Sequence, residues 1–210
     1  MKYCTNCLTT DLRPNASFSG GVCIACRYSA TDKHQNPKLK LKLLQEKIQK
    51  SFQKQRSRGA YDCIVGVSGG KDSTRQAQWV RDRLGLRPLL ICVAYPPKQM
   101  TNIGAQNLSN IINLGFDLIT VTPSPKTSAQ LSLESFRKFG NVSKTSEKAL
   151  FSTVPRIAID LGVNTIFWGE NSATQVGEKS ILGKDEFDAN KLRRMNTIQA
   201  GGDNWIYELA

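Results

Sequence analysis

The sequence predicts an α/β protein: a parallel sheet covered by helices on both faces, preceded by a small four-cysteine metal module. Three observations carry this. From Tyr61 onward, short runs rich in β-branched residues alternate with longer stretches of helical period, a pattern that implies right-handed crossovers between parallel strands. Ahead of them stand Cys4, Cys7, Cys23 and Cys26, two pairs each with two residues between them. At the junction of the first strand and helix, an apolar run ending at Val67 passes into Ser-Gly-Gly-Lys-Asp-Ser, the form of a strand, a tight turn and a helix N-terminus.

Residues 1–32 have the composition of a metal module, rich in Cys, Ser, Thr, Gly and Asn. Each Cys-x2-Cys turn brings two sulfurs to one side, and four thiolates about 2.3 Å from a zinc ion close a tetrahedron with no open position. The zinc is therefore expected to be structural, held by Cys4, Cys7, Cys23 and Cys26, with Gly20-Gly21 allowing the reversal before the second pair. Disulfides or a redox pair are the alternatives, disfavoured without a secretion signal. Cys63 and Cys92 lie in apolar strands and read as small core residues.

Residues 33–58 read as a basic linker with an amphipathic helix over 38–56, in which Leu41, Leu44, Ile48 and Phe52 recur at steps of three and four. Asn36-Pro37 marks its start and Gly59 its end. The α/β domain, 59–210, carries expected strands at 61–67, 88–95, 117–121 and 164–168 and expected helices at 73–84, 102–114, 128–139 and 144–161. Beyond residue 183 the periodicity is weak, and Trp205-Ile206-Tyr207 reads as a last strand. There is no internal repeat.

Composition narrows the class. The hydrophobic set is 40% of the 210 residues and there are 16 Gly, which excludes disorder and collagen-like repeats. The longest strongly apolar run, 88–95, is far short of the roughly 20 residues needed to cross a bilayer, and Met1-Lys2-Tyr3-Cys4 has no apolar leader core. A soluble, cytoplasmic protein without a membrane partner is expected. The net charge of +12 suggests a nucleic acid, but nine Lys or Arg fall within 33–58 against Glu46 alone, leaving only +4 for the other 184 residues. The basicity thus belongs to one segment and is weak evidence for RNA or DNA binding.

The chemistry is expected at 64–73. Gly69 and Gly70 let backbone N–H groups turn inward, Gly70 with positive φ, while the helix dipole adds positive charge and Ser68 and Ser73 offer hydroxyls. This is an anion site but not a Walker A loop, which needs Gly and Ser or Thr where this chain has Val65 and Asp72. Ligands bind at the carboxyl ends of parallel strands, so Ala94 and Tyr95, and Gly169, Glu170 and Asn171, are expected to face the same site.

The run SGGKDS at 68–73 resembles the PP-loop of the N-type ATP pyrophosphatases, enzymes that cleave ATP between the α and β phosphates to adenylate a carbonyl oxygen. Together with the two Cys-x2-Cys pairs, YDCIVGVSGGKDS (61–73), GLRPLLICVAY (85–95), NIGAQNLSNIINLGFDLITVTP (102–123) and IFWGEN (166–171), it is similar to the N-acetyl sugar amidotransferases of bacterial surface-glycan (lipopolysaccharide) and nonulosonic acid pathways. The resemblance spans residues 3 to about 171. It implies a HUP, adenine nucleotide alpha hydrolase-like domain with ATP bound by Val67, Ser68, Gly69, Gly70, Lys71, Asp72, Ser73, Ala94, Tyr95, Gly169, Glu170 and Asn171. Asp72, Ser73 and Lys71 are the candidate catalytic residues, Asp72 as Mg²⁺ partner or helix cap; Lys71 stands at the variable place of the loop and is not expected to be essential.

The implied reaction replaces the acetamido oxygen of an N-acetyl sugar by ammonia. A glutaminase triad needs Cys with His, yet the sole histidine is His34 in a polar stretch, and residue 2 is Lys where an N-terminal nucleophile would stand. A separate glutaminase partner is therefore expected. Two alternatives are a tRNA thiolase, which would bring a tRNA partner but also usually needs mid-domain cysteines beyond Cys63 and Cys92, and a non-catalytic zinc and nucleotide adaptor.

Overall fold

The computed structural model describes residues 1–12, 16–32, 36–54, 59–95 and 97–169. They fall into two units, one that includes Met1–Leu41 and one of Lys42–Gly169.

In the first unit, β1 (Phe18–Ser19) and β2 (Val22–Cys23) pair antiparallel, Phe18 opposite Cys23. Gly20 and Gly21 both take positive φ, 59° and 76°, as a type I′ hairpin turn requires. Helix α1 (Ile24–Asp32) follows at once, an element that the polar composition of this stretch does not announce. Helix α2 (Pro37–Lys54) starts where Asn36-Pro37 places it: the Lys38 N–H donates to Asn36 Oδ1 at 2.9 Å, so the cap satisfies an amide that has no partner within the helix.

The second unit is built on four parallel strands, β3 (Cys63–Gly66), β4 (Pro88–Val93), β5 (Leu118–Val121) and β6 (Ile166–Phe167), in the order β5-β4-β3-β6. Ile64 lies beside Leu89 and Ile166, and Leu90 beside Leu118. All four expected strands are present but shorter. Some pairing outlasts them, since the Val67 N–H donates to the Ile91 carbonyl at 2.9 Å and Ala94 to that of Val121 at 3.0 Å. Helices α3 (Lys71–Leu84), α4 (Asn102–Asn113), α5 (Pro125–Phe139) and α6 (Lys144–Asp160) match the sequence pattern. α3 and α5 begin ahead of their apolar period, because first-turn residues need not face a core.

Period two sorts the strands between two cores. Cys63, Val65 and Val67 join Leu90, Cys92 and Ala94 on one face, packed by Ala77 and Val80 of α3, Ile111 of α4, and Ile48 of α2 with Leu44 and Phe52 beside it. Ile64, Leu89 and Ile91 face the other way, against Val154 and Ala158 of α6. Burial on both faces is what makes β3 and β4 read as continuous apolar runs. Leu41, grouped by spacing with Leu44, Ile48 and Phe52, is instead 39% exposed. At the amino ends of β3 and β4, the Arg87 guanidinium grips the Asp62 carboxylate at 2.9 and 3.0 Å.

The connections run outward from β3 through β4 to β5, and α5 and α6 then return the chain to β6 on the other side of β3. The order reverses between β3 and β6, so the loop after β3 and the bend after β6 leave the sheet side by side, forming the crevice in which open α/β sheets bind ligands. Among the described residues no helix is long and apolar enough to cross a membrane.

Candidate functional site

Residues 67–70 link β3 to α3. Gly69 is buried with φ at +81°, and a Cβ placed on it would lie 3.0 Å from Asn107 Cβ and 3.4 Å from the Asn107 carbonyl carbon. Both the backbone conformation and the close approach of α4 exclude a side chain there. Gly70 differs from expectation: it is the N-cap of α3, with φ −70° and ψ 166°, an extended conformation open to any residue. The positive φ belongs to Gly69, because one left-handed residue suffices to turn the strand into the helix.

The loop is braced from within. The Ser73 hydroxyl accepts from the Ser68 N–H at 3.3 Å and donates to the Gly70 carbonyl at 3.2 Å, and the Gly70 N–H donates to Ser68 Oγ at 3.4 Å. The N–H groups of Gly69, Lys71, Asp72 and Ser73 have no acceptor among the described residues, the last three because a first helical turn has none to offer. Lys71 and Asp72 are exposed, and Asp72 does not cap the helix. Unpaired donors, a helix N-terminus and the exposed Ser68 lie together with the exposed Asp72 carboxylate beside them, an arrangement that could receive a polyanion.

The bend after β6 adjoins this loop. A Cβ on Gly169 would meet Gln76 Oε1 at 3.6 Å and Ser73 Cα at 3.7 Å, and Gln76 Nε2 donates to the Trp168 carbonyl at 2.5 Å. Trp168 covers Gly66, where a Cβ would come within 3.1 Å of the indole. Ala94, just past β4, is buried, and Tyr95 is 65% exposed. Glu170 and Asn171 lie outside the described residues, as do His34 and 205–207. Spacing alone did not single out Gln76, Gly66 or Asn107. Their contacts span up to 102 residues of sequence (Gly66 to Trp168), and local periodicity carries no trace of them.

In the first unit the sulfurs of Cys4, Cys7, Cys23 and Cys26 all lie within 4.8 Å of one another, and those of Cys7 and Cys23 are 3.6 Å apart. A tetrahedral site with 2.3 Å metal–sulfur bonds has sulfurs about 3.8 Å apart, so the set fits. Backbone N–H groups point at the sulfurs as at thiolates: Cys23 and Asn6 donate to Cys4 Sγ at 3.2 and 3.4 Å, and Cys26 to Cys23 Sγ at 3.4 Å. The Cys23 amide draws the Cys4 thiol down to about 6, whereas the bond from its neighbour Cys7 pushes Cys26 up to about 12. Four sulfurs this close cannot all ionise unless a cation sits among them.

No family model matches the sequence, and no curated protein matches it. Solved structures do. NMN synthetase from Francisella tularensis is 19% identical over 66% of this chain and 56% of its own, with a TM-score of 0.44. Glutamine-dependent NAD+ synthetase from Acinetobacter baumannii is 15% identical over 72% of this chain and 28% of its own, TM-score 0.44. The U34-tRNA thiolase NcsA from Methanococcus maripaludis is 16% identical over 93% of this chain and 63% of its own, TM-score 0.40. The chain spans about half the length of the first and little more than a quarter of the second. At these scores the likenesses carry no functional weight. The chain itself is an α/β protein with a four-stranded parallel sheet and an N-terminal cluster of four cysteines that could hold a metal ion.

Proposed function

We propose that the chain is an AMP-forming, ATP-dependent amidotransferase acting on an N-acetyl sugar. The observation that carries this reading is the run SGGKDS at 68–73, the turn after β3 and the first turn of α3: it stands at the reversal of strand order, with unpaired N–H groups at a helix N-terminus. In this reading the acetamido oxygen attacks the α-phosphorus of ATP, the bond from that phosphorus to the bridging oxygen breaks, and pyrophosphate leaves into the cradle. Ammonia adds to the activated carbon, and AMP departs with the former acetamido oxygen to leave an acetamidino group. The protein's part is positioning and charge stabilisation. Ser73 keeps the loop in shape, Ser68 and the N–H groups receive the phosphates, and Asp72 would hold a Mg²⁺, which would supply charge neutralisation.

The same reading assigns the four cysteines a structural Zn²⁺, the adenosine to the region of Ala94, Tyr95 and Gly169–Asn171, and ammonia supply to a separate glutaminase. It divides the chain into a zinc module (1–32), a basic linker helix (33–58) and a nucleotide domain (59–210) in the cytoplasm. Sulfur transfer to tRNA is the weaker reading, because Cys63 and Cys92 are sealed in β3 and β4 and burial pushes the Cys63 thiol up to about 12.

The test is an ATP turnover assay with ammonia, run against nucleotide-linked N-acetyl sugars and against tRNA. AMP and pyrophosphate should form only with an N-acetyl sugar present. ADP and phosphate as products would remove the reading altogether, and AMP formation with tRNA alone would replace the acceptor.

A further inference from the structure

The loop is backed by one residue of α4, Asn107. Its Cβ and carbonyl are the nearest groups to the place a Gly69 side chain would occupy, so α4 presses on the turn at its left-handed residue. Asn107 is half-buried, and its carboxamide has no hydrogen-bond partner among the described residues. An amide beside this loop, with no protein partner among the described residues, has two donor hydrogens to spare.

Helix geometry says which way it leans. Helical side chains slope toward the N-terminus. α4 follows β4 through the short 3-10 turn Pro97–Gln99, so its N-terminus lies at the carboxyl edge of the sheet, where the N–H groups of the loop open. Asn107 therefore leans from α4 toward the mouth of the cradle. Leu108 and Ile111 of the same helix face the core and fix its rotation.

We propose that Asn107 is a pyrophosphate-contacting residue, its Nδ2 donating to a β- or γ-phosphate oxygen of ATP and staying with the pyrophosphate as it leaves. This rests on the nucleotide reading of the loop. It gives α4 two tasks at one point: its backbone packs on the turn at Gly69, and its side chain reaches the phosphates.

The experiment is calorimetric titration of the whole protein with inorganic pyrophosphate and Mg²⁺, and with ATP, comparing wild type, Asn107→Asp and Asn107→Ala, with a thermal midpoint for each. Asp matches Asn in shape but replaces the donor by a negative charge. Its pyrophosphate affinity should fall about tenfold to a hundredfold at an unchanged midpoint, and that of Ala by less, as expected for a lost hydrogen bond to a charged group with added repulsion. Wild-type affinity in Asn107→Asp would overturn the assignment while leaving the nucleotide reading intact. Equal losses in both variants with lowered midpoints would also overturn it, marking a packing role. A wild type that binds neither pyrophosphate nor ATP would overturn the nucleotide reading, and the assignment with it.

Discussion

The two units are held together by different means. Among the described residues, the buried apolar ones of Met1–Leu41 are Cys4, Cys23 and Ile24, two of them members of the four-sulfur cluster; the rest belong to Lys42–Gly169, where they fill two cores on either side of a sheet. The first unit has sulfurs where the second has aliphatic carbon. With so little apolar burial, the first unit is expected to depend on an ion among its sulfurs, whereas the sheet unit draws stability from area removed from water. The two should therefore fail independently.

Removing the metal ligand is the strongest test. Protein purified without chelators should contain one Zn²⁺ per chain by elemental analysis. Cys23→Ser should abolish that and unfold the first unit, where metal binding contributes on the order of 10 kcal/mol. Pyrophosphate binding by the second unit should survive. Acid should act the same way: zinc takes sulfur as thiolate and the bond with Cys7 holds the Cys26 thiol above its ordinary range, so metal binding displaces protons into solvent and weakens as pH falls. An absence of zinc, or loss of pyrophosphate binding in Cys23→Ser, would break the division.

Within the second unit the comparison narrows to two adjacent glycines. Gly69→Val must place a β-branched residue at φ +81° against Asn107, and should abolish pyrophosphate binding. Gly70→Ala needs only an extended backbone and meets Ser68 Oγ at 3.4 Å, so binding should persist within about tenfold, the scale of one hydrogen bond. The reverse order in a titration would show that the loop is read wrongly.

That pair also marks how far the sequence reaches. The strand, the turn and the helix at 63–84 were legible because each has a local signature: an apolar run, paired glycines, a 3.6-residue period. Which glycine is left-handed was not, since both residues permit either conformation; nor was the close approach of Asn107 to Gly69, from 38 residues away. The four-cysteine cluster was legible from spacing alone, because each Cys-x2-Cys turn brings two sulfurs to one side. Helix α1 was not, lying in a polar stretch with no apolar period of its own, directly after the β1–β2 hairpin. Leu41 was misplaced for a third reason: period predicts a face, and a face is buried only along the length over which a partner covers it.

Asp72 makes a subtler distinction, between holding the nucleotide and turning it over. It caps nothing, so Asp72→Asn should leave the fold and most ATP affinity intact. Turnover should fall by about 10², roughly 3 kcal/mol of transition-state stabilisation, if its charge faces Mg²⁺ on the phosphates. Steady-state kinetics separate the two, and an unchanged kcat would remove Asp72 from the chemistry.

The smallest effect is expected at the far edge of the sheet. Arg87 and Asp62 form a two-pronged pair at the amino ends of β4 and β3, with a further contact from Arg87 to the Gly59 carbonyl at 3.3 Å. The Arg87 side chain is 57% exposed, so water screens the pair and the strands already share backbone bonds there, including Asp62 N–H to the Arg87 carbonyl at 2.9 Å. Arg87→Ala should therefore lower unfolding stability only slightly, read as a small shift of the urea midpoint at constant slope. Asp62→Ala should cost more, about 1 to 2 kcal/mol, because Asp62 Oδ2 also accepts the Arg87 backbone N–H at 2.9 Å and that donor would lose its protein partner. If Arg87→Ala instead unfolded the unit, the sheet would depend on a charged clamp much as the first unit depends on its sulfurs, and the contrast between burial and ligation would fail.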